Sequence, residues 1–383
     1  MSAHPTPLSR RTLLRAGGVA AAGAAIGVAV APSAQAAVPV APPWQVRLSP
    51  EQQVGQRVIF SYPGPTPPDD LLAGIAAGMV GGLIFFGENI TSLDQIAQVV
   101  AELRKVHAQS PTRGTPLLFM TDQEGGYIRR LRGQEPVLSE KAIGLSADPV
   151  AEATHAGAGA GAALRNVGMN LNLAPVQDVF REEDNFDDQW ERSYSSDPVM
   201  CSALGAAFVR AQQATGVAST AKHFPGLGAA TQEQNTDLGP VTLTQPASEI
   251  RAVDEYAFTG PIDAGVDLVM TSWALYPAID PDFPAGLSER LVQGELRHRL
   301  HFSGVTITDA LEAGAIDAFG GSGERAVLAA QAGMDVILCS GRDVDQGMQA
   351  VQAITAALRG RRLDPGQFVS ALRRVQRLRT RLF

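Results

Sequence analysis

The sequence predicts a single-domain (β/α)8 barrel of the TIM type, and three observations predict it. After residue 50, short apolar runs alternate eight times with helix-like stretches. The runs are continuously apolar, which suits parallel strands buried on both faces. Charged and polar residues gather just past their ends, where a barrel of this kind carries its chemistry. A chain of 383 residues has room for such a barrel, which needs about 250. The alternative is an open doubly wound sheet, but no Gly-x-Gly-x-x-Gly follows an early strand.

The elements follow in order. Residues 1–36 read as an export signal. Ser9-Arg10-Arg11-Thr12-Leu13-Leu14 is a twin-arginine motif, an Ala/Gly/Val run extends from Ala16 to Ala31, and Ala34-Gln35-Ala36 is a small-x-small cleavage site. The apolar run is short for a spanning helix, so no stable membrane insertion is expected after cleavage. Residues 37–50, with Pro39, Pro42 and Pro43, read as a linker. Residues 51–383 then form the barrel domain. Its strands are expected at Val54–Ser61, Val80–Phe86, Leu117–Thr121, Met169–Leu173, Val217–Ala221, Leu268–Thr271, Val305–Thr308 and Val336–Cys339. Helices are expected at 92–109, 149–166, 197–214, 247–264 and 343–358. Asp197-Pro198 reads as an N-cap followed by proline at the first helical position. The tail 360–383 reads as a closing helix with arginines on its wet face.

Charge narrows the partners. Residues 1–36 hold Arg10, Arg11 and Arg15 and no acid, so their removal takes the net charge from −8 to −11. An acidic protein of this kind is not built for nucleic acid or an anionic membrane, which call for basic patches. Among 31 basic residues only Lys105, Lys141 and Lys222 are lysines, so a lysine at a strand end stands out. Cys201 and Cys339 sit in apolar surroundings and read as buried free thiols, with a disulfide as the alternative in an exported protein. A monomer is expected.

The strand ends carry the chemistry. The third runs into Asp122-Gln123-Glu124-Gly125-Gly126, the fourth into Val176-Gln177-Asp178, and the fifth into Lys222-His223-Phe224-Pro225-Gly226. The sixth runs into Ser272-Trp273 and the seventh into Asp309. Charges directly after buried strands are costly unless paired or functional. Singly, Asp122 or Asp309 could cap a turn and Lys222 could be half an ion pair. Together they converge on one mouth. Trp273 could line that mouth or belong to the core. The run Arg181–Trp190, with Glu182, Glu183, Asp184, Asp187 and Asp188, reads as a solvated loop, because its spacing fits no calcium-loop signature.

The two runs beginning at Asp122 and Lys222, with the aspartate after the seventh strand, resemble glycoside hydrolase family 3, in its branch of single-domain bacterial β-N-acetylhexosaminidases. The resemblance spans roughly residues 48–350. It implies an exported retaining glycosidase for β-linked N-acetylhexosamine, with cell-wall fragments among its carbohydrate substrates and no metal or organic cofactor. It also implies that Asp309 is the nucleophile, and that Asp122, Arg130, Arg192, Lys222 and His223 grip the sugar. Chemically, Asp122 can accept two hydroxyl hydrogen bonds, while neighbouring cations keep it ionised. Glu124 is expected to brace the Gly125-Gly126 turn.

One departure matters. The family's acid/base is a histidine paired with an aspartate on the loop after the fifth strand. Here Leu227 replaces the first histidine of that loop, and no histidine occurs between His223 and His298. General-acid help contributes about 10²–10⁴-fold, so a substitute is needed for turnover. Asp237, in Asn235-Thr236-Asp237, is the preferred candidate, with Glu233 on the same loop. A raised pKa in a dry, loop-closed pocket would suit that role. Glu312 and the Glu182–Glu191 loop are further sources. The alternative is a sugar- or wall-binding barrel that has lost turnover. An imine-forming Lys222 also fits a barrel strand, but it would need apolar surroundings.

Overall fold

The computed structural model describes residues 48–383. The export signal and residues 37–47 of the linker lie outside the described residues. Eight parallel strands form the barrel: β1 (Val58–Phe60), β2 (Gly82–Ile84), β3 (Leu118–Thr121), β4 (Leu171–Asn172), β5 (Thr220–Phe224), β6 (Leu268–Thr271), β7 (Val305–Thr308) and β8 (Ile337–Leu338). Ladders join β8-β1-β2-β3-β4 and β5-β6-β7. Single parallel bridges, Leu171 to Ala218 and Ile307 to Val336, join the two sets. A helix follows each strand, and Pro365–Arg379 ends the chain.

The expected strands all appear; Leu268–Thr271 and Val305–Thr308 keep their limits and the other six shift. Val54 falls instead in a helix, Pro50–Gly55, because Ser49 and Gln52 form a reciprocal capping box there. Pro50, placed at the end of the linker by the sequence, is that helix's first residue. The expected cap at Asp197 is present: its side chain accepts from Val199 N at 2.9 Å. β5 runs three residues further than expected, so Lys222 and His223 lie within the strand. Its register against β6 shifts between Ala221 and Phe224, which re-aims these side chains.

The barrel is packed solid. Ile59, Ile84, Leu118, Leu171, Leu268 and Ile307 meet inside it, and Val375 and Leu378 of the closing helix join the same cluster. That helix does not keep all its arginines wet. Arg379 is fully buried and donates to Pro116 O. Arg374 pairs with buried Asp335 at 2.8 Å. A long side chain can bury its stem and charge when carbonyls and carboxylates meet its donors. Cys201 and Cys339 are both buried and free.

Candidate active site

The site begins at the end of β3. There the chain turns back in a short hairpin, Gln123–Gly125 against Ile128–Arg129. Gly125 and Gly126 make the turn at φ 127° and 51°. A Cβ on Gly125 would stand 2.3 Å from Leu138 O, so the turn needs glycine twice over. The hairpin brings Arg130 opposite Asp122: Arg130 N donates to Asp122 O at 3.1 Å, and its guanidinium lies 3.7 Å from the carboxylate.

Lys222 reaches this hairpin from β5. Its Nζ lies 2.9 Å from Asp122 Oδ1 and 2.6 Å from Glu124 Oε1. Arg192, on the loop after β4, grips Glu124 with two nitrogens at 2.8 and 3.0 Å. Its third nitrogen holds Asp187 at 2.6 Å. Charges therefore alternate along a chain, from Arg130 through Asp122, Lys222, Glu124 and Arg192 to Asp187. Burial alone would raise the Asp122 carboxyl, but Lys222 and Arg130 outweigh it and bring it down to about 2. Burial likewise opposes the charge on Lys222, yet Asp122 and Glu124 keep it protonated above the ordinary lysine range. A lysine so paired is not an imine-forming nucleophile.

His223 completes the wall. Its Nδ1 is 2.7 Å from Asp178 Oδ2, and Asp178 Oδ1 also accepts from Leu227 N at 2.6 Å. Burial and then Arg192 push the imidazole below its ordinary range. A neutral ring that donates from Nδ1 to Asp178 presents Nε2 as an acceptor, a tautomer assigned from the hydrogen-bond network. Arg192 Nη2 stands 3.5 Å from that nitrogen. Burial also drives Asp187 up to about 7, against the pull of Arg192 and with Asp178 adding to the rise.

Asp309 follows β7, and its Oδ1 accepts from Ala310 N at 2.7 Å. Burial raises its pKa, Asp237 adds to the rise, and His223 and Lys222 oppose it. A cavity of about 340 Å³ gathers the sequence-predicted residues: Asp122, Arg130, Arg192, Lys222, His223, Asp237 and Asp309 all line it. That volume is at the small end for ligand pockets, about 300–1,000 Å³. Its floor is the top of the barrel interior, with Ile84, Leu173, Met270 and Leu338.

Several expectations change. Asp237 lines the cavity but is exposed, so the dry enclosure expected around it is not there. Glu124 does not serve the glycine turn alone; it joins Arg192 to Lys222. Glu312 accepts from Ser340 and Gln346 and is not among the residues that line the cavity. Trp273 is core, 1% exposed, and its indole donates to Ala310 O at 2.7 Å, bracing the segment beside Asp309. The acidic run is solvated only in part. Glu182, Glu183 and Asp184 are exposed, but Asp187 and Asp188 are buried, the latter 2.7 Å from Lys141. Charge count hid this, because the cations that pair with them lie outside the run.

Asp178 and Asp187 were not singled out from sequence. Asp178 had the same signal as Asp122, a carboxylate just past a buried strand. With His223 they offer three metal-ligating atoms within 4.8 Å of one another. Arg192, bonded to Asp187 and beside His223, already puts a fixed cation there, so the cluster does not suit a metal ion.

A barrel mouth that holds an ion-paired charge chain and two further carboxylates is an arrangement that can act on sugars. The model of the glycosyl hydrolase family 3 N-terminal domain matches residues 51–378. The chain belongs to that family. It is 45% identical over 350 residues to an uncharacterized secreted glycosyl hydrolase of Arthroderma benhamiae, covering 91% of this chain and 98% of that one. It is 33% identical over 302 residues to a beta-hexosaminidase of Xanthomonas oryzae pv. oryzae, covering 77% of this chain and 85% of that one. Among solved structures, the family 3 β-N-acetylglucosaminidase of Paenibacillus sp. str. FPU-7 matches at TM-score 0.82 and 35% identity. The match covers 87% of this chain and 62% of that longer one. The beta-N-acetylhexosaminidase of Beutenbergia cavernae DSM 12333 matches at TM-score 0.77 and 34% identity, covering 87% and 99%.

Proposed function

We propose that this hydrolase is exported by the twin-arginine route and cleaves β-linked N-acetylhexosaminides with retention of configuration. Asp309 is the nucleophile and Asp237 the acid/base. The observation that carries the reading is one cavity lined by both carboxylates and by the clamp of Asp122, Arg130, Lys222 and His223. The names of the relatives supply the sugar; the sequence motif supplies the export route.

The clamp holds the terminal sugar. Asp122, ionised by its cations, accepts from hydroxyls, while Arg130 donates and His223 Nε2 accepts. Arg192 holds the clamp's far end through Glu124. Asp309 attacks the anomeric carbon as Asp237 protonates the departing oxygen, leaving a glycosyl-enzyme. Asp237 then takes a proton from water, which releases the sugar.

A fluorogenic panel of β-N-acetylglucosaminide and β-glucoside tests this. Asp309→Ala should abolish turnover of every substrate. Asp237→Ala should cost about 10²–10⁴-fold on substrates with poor leaving groups. It should spare kcat/KM on a dinitrophenyl glycoside, whose departure needs no protonation, while the second step, slowed by loss of the base, should be restored by added azide. Turnover that survives Asp309→Ala removes the nucleophile. Equal losses on both leaving groups remove Asp237. A flat panel with measurable sugar binding would favour a barrel that binds without cleaving.

A further inference from the structure

We infer that Trp190 is a stacking platform for the leaving-group sugar, and that the enzyme therefore selects a terminal sugar joined to a second pyranose ring. The inference rests on the glycosidase reading above and deepens it.

The cavity is graded from end to end. Its closed end is charged and dry, with Lys222 at 2% exposure and His223 at 6%. Its open end carries exposed Asp237 and Trp190, the tryptophan at 50% exposure. Phe186 and buried Leu227 continue the apolar lining beside it. A sugar clamped at the closed end places its aglycone towards the exposed lining, which includes the indole. The face of a pyranose ring is largely C–H and fits an aromatic plane. A half-exposed tryptophan at the rim of a polar pocket is a surface that a ligand would cover.

The platform is anchored. Trp190 N donates to Asp187 O at 3.1 Å, and Asp187 is held by Arg192. Main-chain bonds tie its loop to the loop bearing Asp237: Arg181 N to Gly228 O at 3.2 Å and Phe186 N to Ala230 O at 3.1 Å. Gln189 Nε2 adds a bond to Gln232 O at 3.2 Å. A Cβ on Gly228 would stand 2.0 Å from Val179 O, so the loops close on each other only with glycine there. The backbone that carries the indole is thus tied to the loop that carries the group proposed to protonate the glycosidic oxygen. The leucine that stands where the family keeps a histidine adds to this apolar lining.

The test compares two substrates of the full mature chain: the β-1,4-linked dimer of N-acetylglucosamine, and β-N-acetylglucosaminyl fluoride. The fluoride ion is too small to reach Trp190. Trp190→Ala should lower kcat/KM on the dimer by roughly ten- to a hundredfold, the worth of a lost aromatic face. It should leave the fluoride unchanged, and Trp190→Phe should recover most of the loss on the dimer. Equal losses on both substrates, or no loss on the dimer, would overturn the inference. If the unaltered enzyme turned over neither substrate, the hydrolase mechanism itself would fail and this inference with it.

Discussion

Lys222 is nearly dry and pairs with two carboxylates at once, so its removal is a sharp test of the charge chain. Its Nζ sits 2.9 and 2.6 Å from two carboxylates, and its side chain is 3% exposed. At an effective dielectric near 20, unit charges about 3 Å apart attract by about 5–6 kcal/mol. Desolvation offsets much of that in the intact protein. In Lys222→Met the attraction is gone while the carboxylates' desolvation remains: Glu124 keeps Arg192, but Asp122 keeps only Arg130, at 3.7 Å. Leaving a buried charge unpaired costs about 3–5 kcal/mol, a large share of a typical stability of about 5–15 kcal/mol. Urea unfolding monitored by tryptophan fluorescence should show that loss near neutral pH. Removing the carboxylate as well, in Asp122→Asn/Lys222→Met, should return about 1–2 kcal/mol.

The pH dependence of the same variant has a fixed sign. Asp122 is held at about 2 against an ordinary 3.8, with 14% of its side chain exposed. A depressed carboxyl stabilises fully above its unfolded pKa, and the stabilisation is lost as pH falls towards the folded one. Here that share is about 2 kcal/mol, fading between about pH 4 and pH 2. The gap between the native protein and Lys222→Met should therefore narrow as pH is lowered through that window. A variant that loses under about 1 kcal/mol, or a gap indifferent to pH, would refute the reasoning.

Two further outcomes follow from the same wall. Burial raises Asp309 and Lys222 opposes the rise, so kcat/KM should climb with pH through a midpoint above the ordinary carboxylate value of about 4. Lys222→Met should move that limb higher; a limb below 4 in the native enzyme would contradict a buried nucleophile. Asp178→Asn keeps an oxygen for Leu227 N but turns an amide donor towards His223 Nδ1. The imidazole would then carry its proton on Nε2, and KM should rise by about tenfold, one hydrogen bond's worth, with the tautomer change visible in the ring's nitrogen chemical shifts.

The sequence carried the barrel well because strand runs and helix caps are local signals. Asp197 caps in place, and every expected strand is present. Its limits failed where tertiary register decides. β5 extends to Phe224 through a register shift against β6, which no propensity encodes. The same division holds at the site. Asp122, Lys222 and Asp309 were legible as charges that follow apolar runs. Their partners were not, because the pairings span the chain: Lys222 to Asp122 crosses 100 residues, and Arg192 to Glu124 crosses 68. Asp187 was hidden differently. It sits among exposed acids, and only the guanidinium that reaches it from Arg192 sets it apart.

The two ends of the cavity are held by different means, and that explains how one end can vary. The clamp is built from charges at strand ends and the hairpin, where each ion neutralises the next; changing one strands another in a dry place. The proposed acid/base hangs from the main chain instead. Gly314 N donates to Asp237 O at 2.9 Å, and Ala315 N to Thr236 O at 3.0 Å. A Cβ on Gly314 would meet Leu238 O at 2.7 Å, so the approach depends on the missing side chain. Those bonds run to the segment just past Asp309, whose Ala310 carbonyl is held by buried Trp273. Backbone bonds fix where residue 237 stands without specifying its side chain. A loop so attached can exchange the chemical group at that position, and with it the proposed leaving-group preference, while the charge chain and the segment after Asp309 keep their geometry.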